Sequence, residues 1–156
     1  MNDAEVLERL EARGASMPDP AAPVASYVPA TQSGSIVFVA GQIPMVEGQL
    51  MHPGKLGVSV SVEAGQEAAA RAALQALSVL RHHLGGSLDR LSRILQLTIF
   101  VAADPEFVEH PTVGNGASDL LVEALGEAGT HARATVGVAS LPLGSCVEVA
   151  MTAEVA

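Results

Sequence analysis

Residues 146–155 alternate between two kinds of side chain, and this alternation constrains the fold more than any other feature of the sequence. The odd positions form an unbroken apolar set of Val147, Val149, Met151, Ala153 and Val155. The even positions are Cys146, Glu148, Ala150, Thr152 and Glu154. Because successive side chains of a strand point to opposite faces, a period of two predicts a strand with one face in a core. The chain must therefore build a sheet with at least one covered face.

A second segment, 131–138, has the same alternation. Its apolar positions are Ala132, Ala134, Val136 and Val138, and its other positions are His131, Arg133, Thr135 and Gly137. The short Leu-Pro-Leu-Gly segment at 141–144 predicts that the two strands form an antiparallel hairpin. In such a hairpin the two apolar faces share one side of the sheet. We therefore expect Arg133 and Glu148 to lie roughly opposite each other, on the face away from the helices.

The remaining predicted elements give an α+β fold. They are a helix at 3–13, a strand at 36–40, turns at 43–61, a helix at 62–84, a strand at 93–102 and a helix at 115–128, for which Asn115 is the expected N-cap. The two long helices cannot cover both faces of the sheet, so we expect a two-layer sandwich of one mixed sheet with both helices on one face. The other face must meet solvent or another subunit. Residues 1–25 are predicted to be an N-terminal helix and Pro-rich leader, and 26–156 the α+β domain.

Composition excludes several classes of function. Apolar residues make up 49% of the 156 residues, which is typical of a folded domain. Aromatic residues make up 3% and the net charge is −9, so neither base stacking nor phosphate binding is favoured and we expect no nucleic-acid partner. No apolar run is long enough to cross a membrane, and the charged N-terminus does not resemble a signal peptide. We expect a cytoplasmic protein without membrane contact. The single cysteine, Cys146, excludes an intrachain disulfide and is interpreted as a packing residue.

Arg133 and Glu148 are the strongest candidates for chemistry. Arg133 is the only Lys or Arg after Arg93. One interpretation is an exposed ion pair, which would contribute at most about 1 kcal/mol. The other is a guanidinium that binds a ligand carboxylate, with Glu148 handling a proton or orienting water. His131 lies on the Arg133 face, where it is either an exposed residue at the start of the strand or a titrating group at a pocket mouth.

The sequence around these two residues resembles a known family. The segment from Arg133 to Glu148, with Pro142 between them, is similar to the C-terminal signature of the RidA/YjgF reactive-imine deaminases. The segment 38–44, Phe-Val-Ala-Gly-Gln-Ile-Pro, resembles that family's Phe-x-Ser-Gly-Gln-x-Pro. Tyr27 falls where the family has an aromatic residue, and Asn115 matches an Asn before the second helix. The resemblance covers about residues 5–155 and is closest to the family's longer subgroup.

This resemblance implies a chorismate-mutase-like fold and a homotrimer with pockets at the subunit clefts. It implies hydrolysis of 2-imino or 2-enamino acids to 2-keto acids and ammonia, with no metal or organic cofactor. Arg133 would bind the substrate carboxylate and Glu148 would position the attacking water.

Further residues are implied to bind or enclose the substrate, which would be a small 2-imino or 2-keto acid. Backbone groups near Gly41 and Thr135 would hydrogen-bond it, and Tyr27, Asn115 and Pro142 would shape the pocket. Ala40 stands where the family has a Ser.

Three functions remain open from the sequence. The first is imine deamination, and the second is a trimeric module that binds small carboxylates without turnover. The third is an endoribonuclease, a name sometimes given to members of this family. The charge of −9 speaks against the third.

Overall fold

The computed structural model describes residues 1–20 and 26–156. Its helices are α1 (Asp3–Ala12), α2 (Val62–His83) and α3 (His110–Leu125). Its strands are β1 (Ala30–Ser33), β2 (Ile36–Gln42), β3 (Met45–Val46), β4 (Gln49–Leu50), β5 (Leu91–Ala102), β6 (Ala132–Val138) and β7 (Val147–Val155). Short 3₁₀ turns follow α3 and precede β7, at Gly126–Gly129 and Pro142–Gly144. The predicted boundary between leader and domain, at residue 25, lies outside the described residues.

Five of the strands form one mixed sheet, in the order β1-β2-β7-β5-β6. Only the β5–β6 pair is parallel, and the other three pairs are antiparallel. The apolar residues of β7 are buried, and α2 and α3 pack on that side. The predicted two-layer α+β sandwich, with a mixed sheet and both long helices on one face, is therefore confirmed. The α1 helix adds Val6 and Leu10 to the same core.

The predicted β6–β7 hairpin is wrong, because β5 lies between the two strands. The structure instead joins β5, α3 and β6 into a strand–helix–strand unit, whose helical crossover makes its two strands parallel. The end of β5 bonds to both neighbours: the Ala103 N–H donates to the Val138 carbonyl, and the Ala102 N–H donates to the Cys146 carbonyl. The segment 139–146 thus passes the end of β5 instead of making a tight turn.

The α3 helix begins five residues earlier than the sequence predicted. Asn115 lies in its second turn and is not its N-cap, because the helix starts at His110 with Pro111 in the first turn. Proline is favoured there, since its missing N–H would have no helical partner. Gly114 and Gly116 are weak helix formers and obscured this turn in the sequence. Their small size is needed, because a Cβ at Gly116 would overlap the carbonyl group of Gln66 on α2.

The sheet face away from α2 and α3 carries exposed apolar side chains. We call it the open sheet face and define it by the outward residues of four strands: Phe38 of β2, Gln96, Thr98 and Phe100 of β5, Ala132, Ala134 and Val136 of β6, and Glu148, Ala150 and Thr152 of β7. Phe38 is 49% exposed and Val136 is 46% exposed in the single chain. Large apolar side chains exposed on one face are typical of an interface between proteins.

The close approach of α3 to α2 gives a test of the packing. Replacing Gly116 by Ala should destabilise the protein by about 2 kcal/mol or more, because the overlap with the α2 backbone outweighs the higher helix propensity of alanine. Thermal unfolding measures the loss. The control is Val122→Ala, at an exposed position of the same helix, which should change stability far less. Equal stability of Gly116→Ala and wild type would contradict the packing described.

Candidate functional site

Arg133 points from β6 toward the first half of α3. Its Nη1 donates to Asn115 Oδ1 at 3.1 Å and to Ser118 Oγ at 3.0 Å. Its Nη2 donates to the main-chain carbonyl of Pro111 at 3.2 Å. The helix can come this close because residue 114 is a glycine, whose Cβ, if present, would lie 3.3 Å from the Arg133 Cζ. Three groups of α3 thus hold the guanidinium in one orientation.

All three acceptors around Arg133 are electrically neutral: an amide, a hydroxyl and a main-chain carbonyl. Among the described residues, no carboxylate oxygen lies within 4.0 Å of the guanidinium, although the chain has 17 acidic residues. The three bonds use three of the five N–H donors of an arginine side chain. Two donors and a full positive charge remain, which is what a bidentate carboxylate needs.

Thr135 lies on the same side of β6 as Arg133. Its Oγ1 is buried and has no hydrogen-bond partner in the described part of the chain. A Cβ at Gly114 would lie 2.9 Å from this oxygen, so the hydroxyl sits directly beneath α3. A buried hydroxyl without a partner costs free energy, commonly about 1–3 kcal/mol. Arg133, Asn115 and Thr135, three of the predicted site residues, are therefore brought together; with Ser118 we call them the arginine cluster.

Glu148 belongs to a second group on the open sheet face. Its carboxylate lies over Gly41 of β2, where a Cβ would overlap Oε1. It has no hydrogen-bond or ion-pair partner among the residues described. Burial against β2 raises the pKa of the Glu148 carboxyl above its ordinary value. We call Ala40, Gly41 and Glu148 the glutamate cluster.

The expectation that Arg133 and Glu148 share a face is wrong. Arg133 is level with Leu97 of β5, which is buried under the helices, whereas Glu148 is level with Phe100, on the open sheet face. The prediction assumed that the apolar side of each strand faces the helices. On β6 the small apolar residues instead join the open sheet face, which is itself apolar, and the polar side turns to α3. Within one protomer the two clusters lie on opposite sides of the sheet.

The other two predicted residues lie in connecting segments. Tyr27 precedes β1 and is 54% exposed. Two residues further on, the Pro29 carbonyl accepts from the Ala40 N–H, so this segment runs beside the glutamate cluster. Pro142 is exposed in the turn before β7. Neither residue contacts the arginine cluster through a hydrogen bond.

Sequence reasoning missed two groups that contact Arg133, namely the Pro111 carbonyl and Ser118, and a third group, His110, further along β6. Pro111, Gly114, Asn115 and Ser118 follow one another at the i, i+3, i+4, i+7 spacing of a single helix face. The predicted helix began at residue 115, so this spacing lay partly outside it. The His110 ring lies over Gly137 of β6, where a Cβ would overlap its Nε2. It therefore borders the same side of β6 as Arg133 and Thr135.

Three further observations concern metal binding, the Cys146 thiol and membrane spanning. The described residues include no group of three or more His, Cys, Asp or Glu side chains arranged to bind a metal ion. Burial raises the pKa of the Cys146 thiol to about 11, which keeps the thiol protonated at neutral pH and agrees with its interpretation as a packing residue. Within the same residues, no helix combines the length and apolar character needed to cross a bilayer.

The raised pKa of Glu148 predicts a dependence of stability on pH. A carboxyl whose pKa is higher in the folded than in the unfolded state costs stability as the pH rises from the unfolded value, about 4.3, through the folded value. Glu148→Gln cannot ionise, so its melting temperature should rise relative to wild type between pH 4 and pH 8. In a domain of this size 1 kcal/mol corresponds to about 2–4 °C. The control is Glu47→Gln, in an exposed turn. A difference that shrinks with rising pH would contradict the burial of this carboxylate.

Comparison with known proteins supports one family. A family model described as "YjgF/chorismate mutase-like, putative endoribonuclease" matches residues 7–155, which include both clusters. Protein TCP17 of Trypanosoma cruzi is 43% identical over 145 residues, which span 92% of this chain and 90% of that protein.

Two solved structures are similar over nearly the whole chain. A protein of unknown function from Agrobacterium tumefaciens is 40% identical with a TM-score of 0.94, and the match covers 99% of this chain and 94% of that one. A protein described as a putative endoribonuclease from Shewanella oneidensis is 35% identical with a TM-score of 0.92, over 96% and 99% of the two chains. The resemblance seen in the sequence motifs is thus confirmed, and the chain belongs to the YjgF/chorismate-mutase-like family.

Proposed function

We propose that the protein hydrolyses 2-imino or 2-enamino acids to 2-keto acids and ammonia. The observation that carries this proposal is the arginine cluster, where a half-buried guanidinium has no carboxylate partner and two N–H donors without an acceptor among residues 1–20 and 26–156. A carboxylate is the ligand group that complements two such donors. All the proposed substrates and products except ammonia carry a carboxylate next to the reacting carbon.

A second copy of the chain would complete the site. The open sheet face is apolar and unpaired in one protomer, and closed cyclic assemblies bury such faces between identical subunits. The family resemblance implies a homotrimer with pockets at the subunit clefts. Because a single protomer keeps the two clusters on opposite faces of its sheet, they can serve one site only if the glutamate cluster of one protomer meets the arginine cluster of the next.

The proposed reaction needs little from the protein, because the carbon of a protonated C=N bond is already electrophilic. Arg133 would hold the carboxylate and so fix the position of that carbon. Glu148 would accept a proton from the attacking water while the new C–O bond forms, and would return that proton to the nitrogen of the resulting carbinolamine. As the C–N bond breaks and the C=O bond forms, the hydroxyl proton would pass to Glu148 and then to the departing ammonia, which leaves as ammonium. The raised pKa of the Glu148 carboxyl favours its holding the proton between these steps.

The alternative is a module that binds small carboxylates without turnover. The arginine cluster alone would suffice for that function, and Ala40 supplies no hydroxyl for a water molecule where the family has Ser. The two functions differ in the need for Glu148. The endoribonuclease in the family's description is disfavoured, because a net charge of −9 repels a phosphate backbone.

Trapping of the imine with semicarbazide tests the deaminase directly. An amino acid oxidase generates the imine, and active protein lowers semicarbazone formation by hydrolysing the imine first. Arg133→Ala should reduce kcat/KM at least tenfold, since a charged hydrogen-bonded pair is worth about 1.5–3 kcal/mol. Glu148→Gln should abolish turnover and still bind pyruvate.

The matched control for charge is Arg90→Ala, which should leave the rate unchanged, because the Arg90 side chain donates to the Ala156 carbonyl and to no other group in the described part of the chain. If wild type and Arg133→Ala give the same trapping rate, the deaminase proposal fails. If pyruvate binding depends on Arg133 but the wild type produces no hydrolysis above background, the carboxylate-binding module is the correct function.

A further inference from the structure

His131 is connected to Arg133 by a chain of hydrogen bonds. The Nδ1 of His131 lies 2.6 Å from the main-chain carbonyl oxygen of Gly129, and its Nε2 lies 3.0 Å from Ser118 Oγ. The same Ser118 oxygen accepts from Arg133 Nη1 at 3.0 Å. This chain of hydrogen bonds is partly buried. Gly129 belongs to the turn after α3, Ser118 to α3 and Arg133 to β6, and His131 directly precedes β6.

The direction of each bond follows from the chemistry of its ends. A carbonyl oxygen can only accept, so the proton of the neutral imidazole sits on Nδ1. Nε2 is then an acceptor, and the Ser118 hydroxyl donates to it. This turns the lone pairs of Ser118 toward Arg133, whose Nη1 can only donate. The donors therefore run in one direction, from Arg133 through Ser118 and His131 to the Gly129 carbonyl.

We propose that His131 is a positioning residue for Arg133 and acts through Ser118. A serine hydroxyl can rotate among several staggered positions, and in some of them its hydrogen would point at the guanidinium. The imidazole removes that freedom because its Nε2 accepts a hydrogen bond from the Ser118 hydroxyl. Ser118 is thereby fixed as an acceptor, and the guanidinium is held by three acceptors of defined direction.

The neutrality of this arrangement matters for the ligand. A carboxylate in the place of Ser118 would also orient Arg133, but it would cancel the positive charge that a carboxylate ligand needs. The uncharged Ser118 and His131 orient the guanidinium and leave the positive charge of Arg133 available to the ligand. The catalytic consequence, a lower KM for the imino acid, rests on the proposed function, whereas the orientation of Arg133 does not.

Nitrogen NMR on the full-length protein labelled with ¹⁵N in arginine and histidine tests the orientation. At pH 8, His131 should show the tautomer with its proton on Nδ1. The guanidinium of Arg133, assigned by its loss in Arg133→Lys, should show slow rotation and separate Nη signals. In His131→Phe, which keeps a ring without nitrogen atoms, and in Ser118→Ala these signals should merge. Ser118→Thr keeps the hydroxyl and His131→Gln keeps an acceptor, so in these two variants the Nη signals should stay separate as in wild type.

Kinetics then measure the consequence for the substrate. His131→Phe and Ser118→Ala should raise KM roughly tenfold, the equivalent of one weakened charged hydrogen bond, and change kcat little. Ser118→Thr and His131→Gln should stay close to wild type. His82→Phe, at the end of α2, is the matched control and should change neither the Arg133 signals nor KM.

A proton on Nε2 of His131, or Arg133 signals unchanged in His131→Phe, would overturn this proposal. So would loss of kcat alone, with KM and the Arg133 signals unaltered. These results are distinct from failure of the proposed function, which would appear as equal imine trapping by wild type and Arg133→Ala. In that case the NMR measurements still decide whether His131 orients Arg133.

Discussion

The removal of the open sheet face from water is the constraint on which the proposed site depends. The helices cover one side of the sheet, and the other side presents Phe38, Phe100 and Val136 together with alanines of β6 and β7. In the proposed trimer a second copy of the chain would bury this surface. Arg133 and Glu148, which one protomer keeps on opposite faces of its sheet, would then each serve a site shared with a neighbour.

The packing of α3 on β6 sets the chemistry of the arginine cluster. Glycines at 114 and 116 let the helix approach both the sheet and α2 closely. As a result a main-chain carbonyl, an amide and a hydroxyl reach Arg133 without a carboxylate. In a chain with 17 acidic residues this local exclusion of negative charge is a specific feature. The neutral acceptors hold the Arg133 guanidinium in a fixed direction, and its positive charge stays available for an anionic ligand.

The sequence predicted elements whose signal is periodic and local. The alternation of β7 and the long amphipathic pattern of α2 predicted the residues of the core. Because there were only two long helices, the sequence also predicted that one face of the sheet is left without helices. The predicted β6–β7 hairpin is wrong because a short connection does not require the two strands it joins to pair, and the α3 crossover places β6 on the far side of β5. The start of α3 was missed because Gly114 and Gly116 look unfavourable for a helix. These glycines are needed because α3 lies close to α2 and β6, and the sequence alone does not show these tertiary contacts.

The same limits apply to the candidate site. Arg133, Thr135 and Asn115 were identified from the strand pattern and the family motif, and the structure brings them together. Ser118 and the Pro111 carbonyl could not be assigned until the helix was placed. The relation between Arg133 and Glu148 within one protomer depends on strand order, which no local pattern encodes.

Mixing of two impaired variants tests the shared site most directly. Arg133→Ala and Glu148→Ala are each expected to retain a tenth of the wild-type activity or less, but a mixed trimer contains some sites with an intact Arg133 from one subunit and an intact Glu148 from its neighbour. With equal amounts and random exchange, about one quarter of the sites should be intact, so about one quarter of wild-type imine hydrolysis should return. If both residues served a site within one protomer, every site would carry a lesion. Absence of any recovered activity in verified mixed trimers would contradict the shared site.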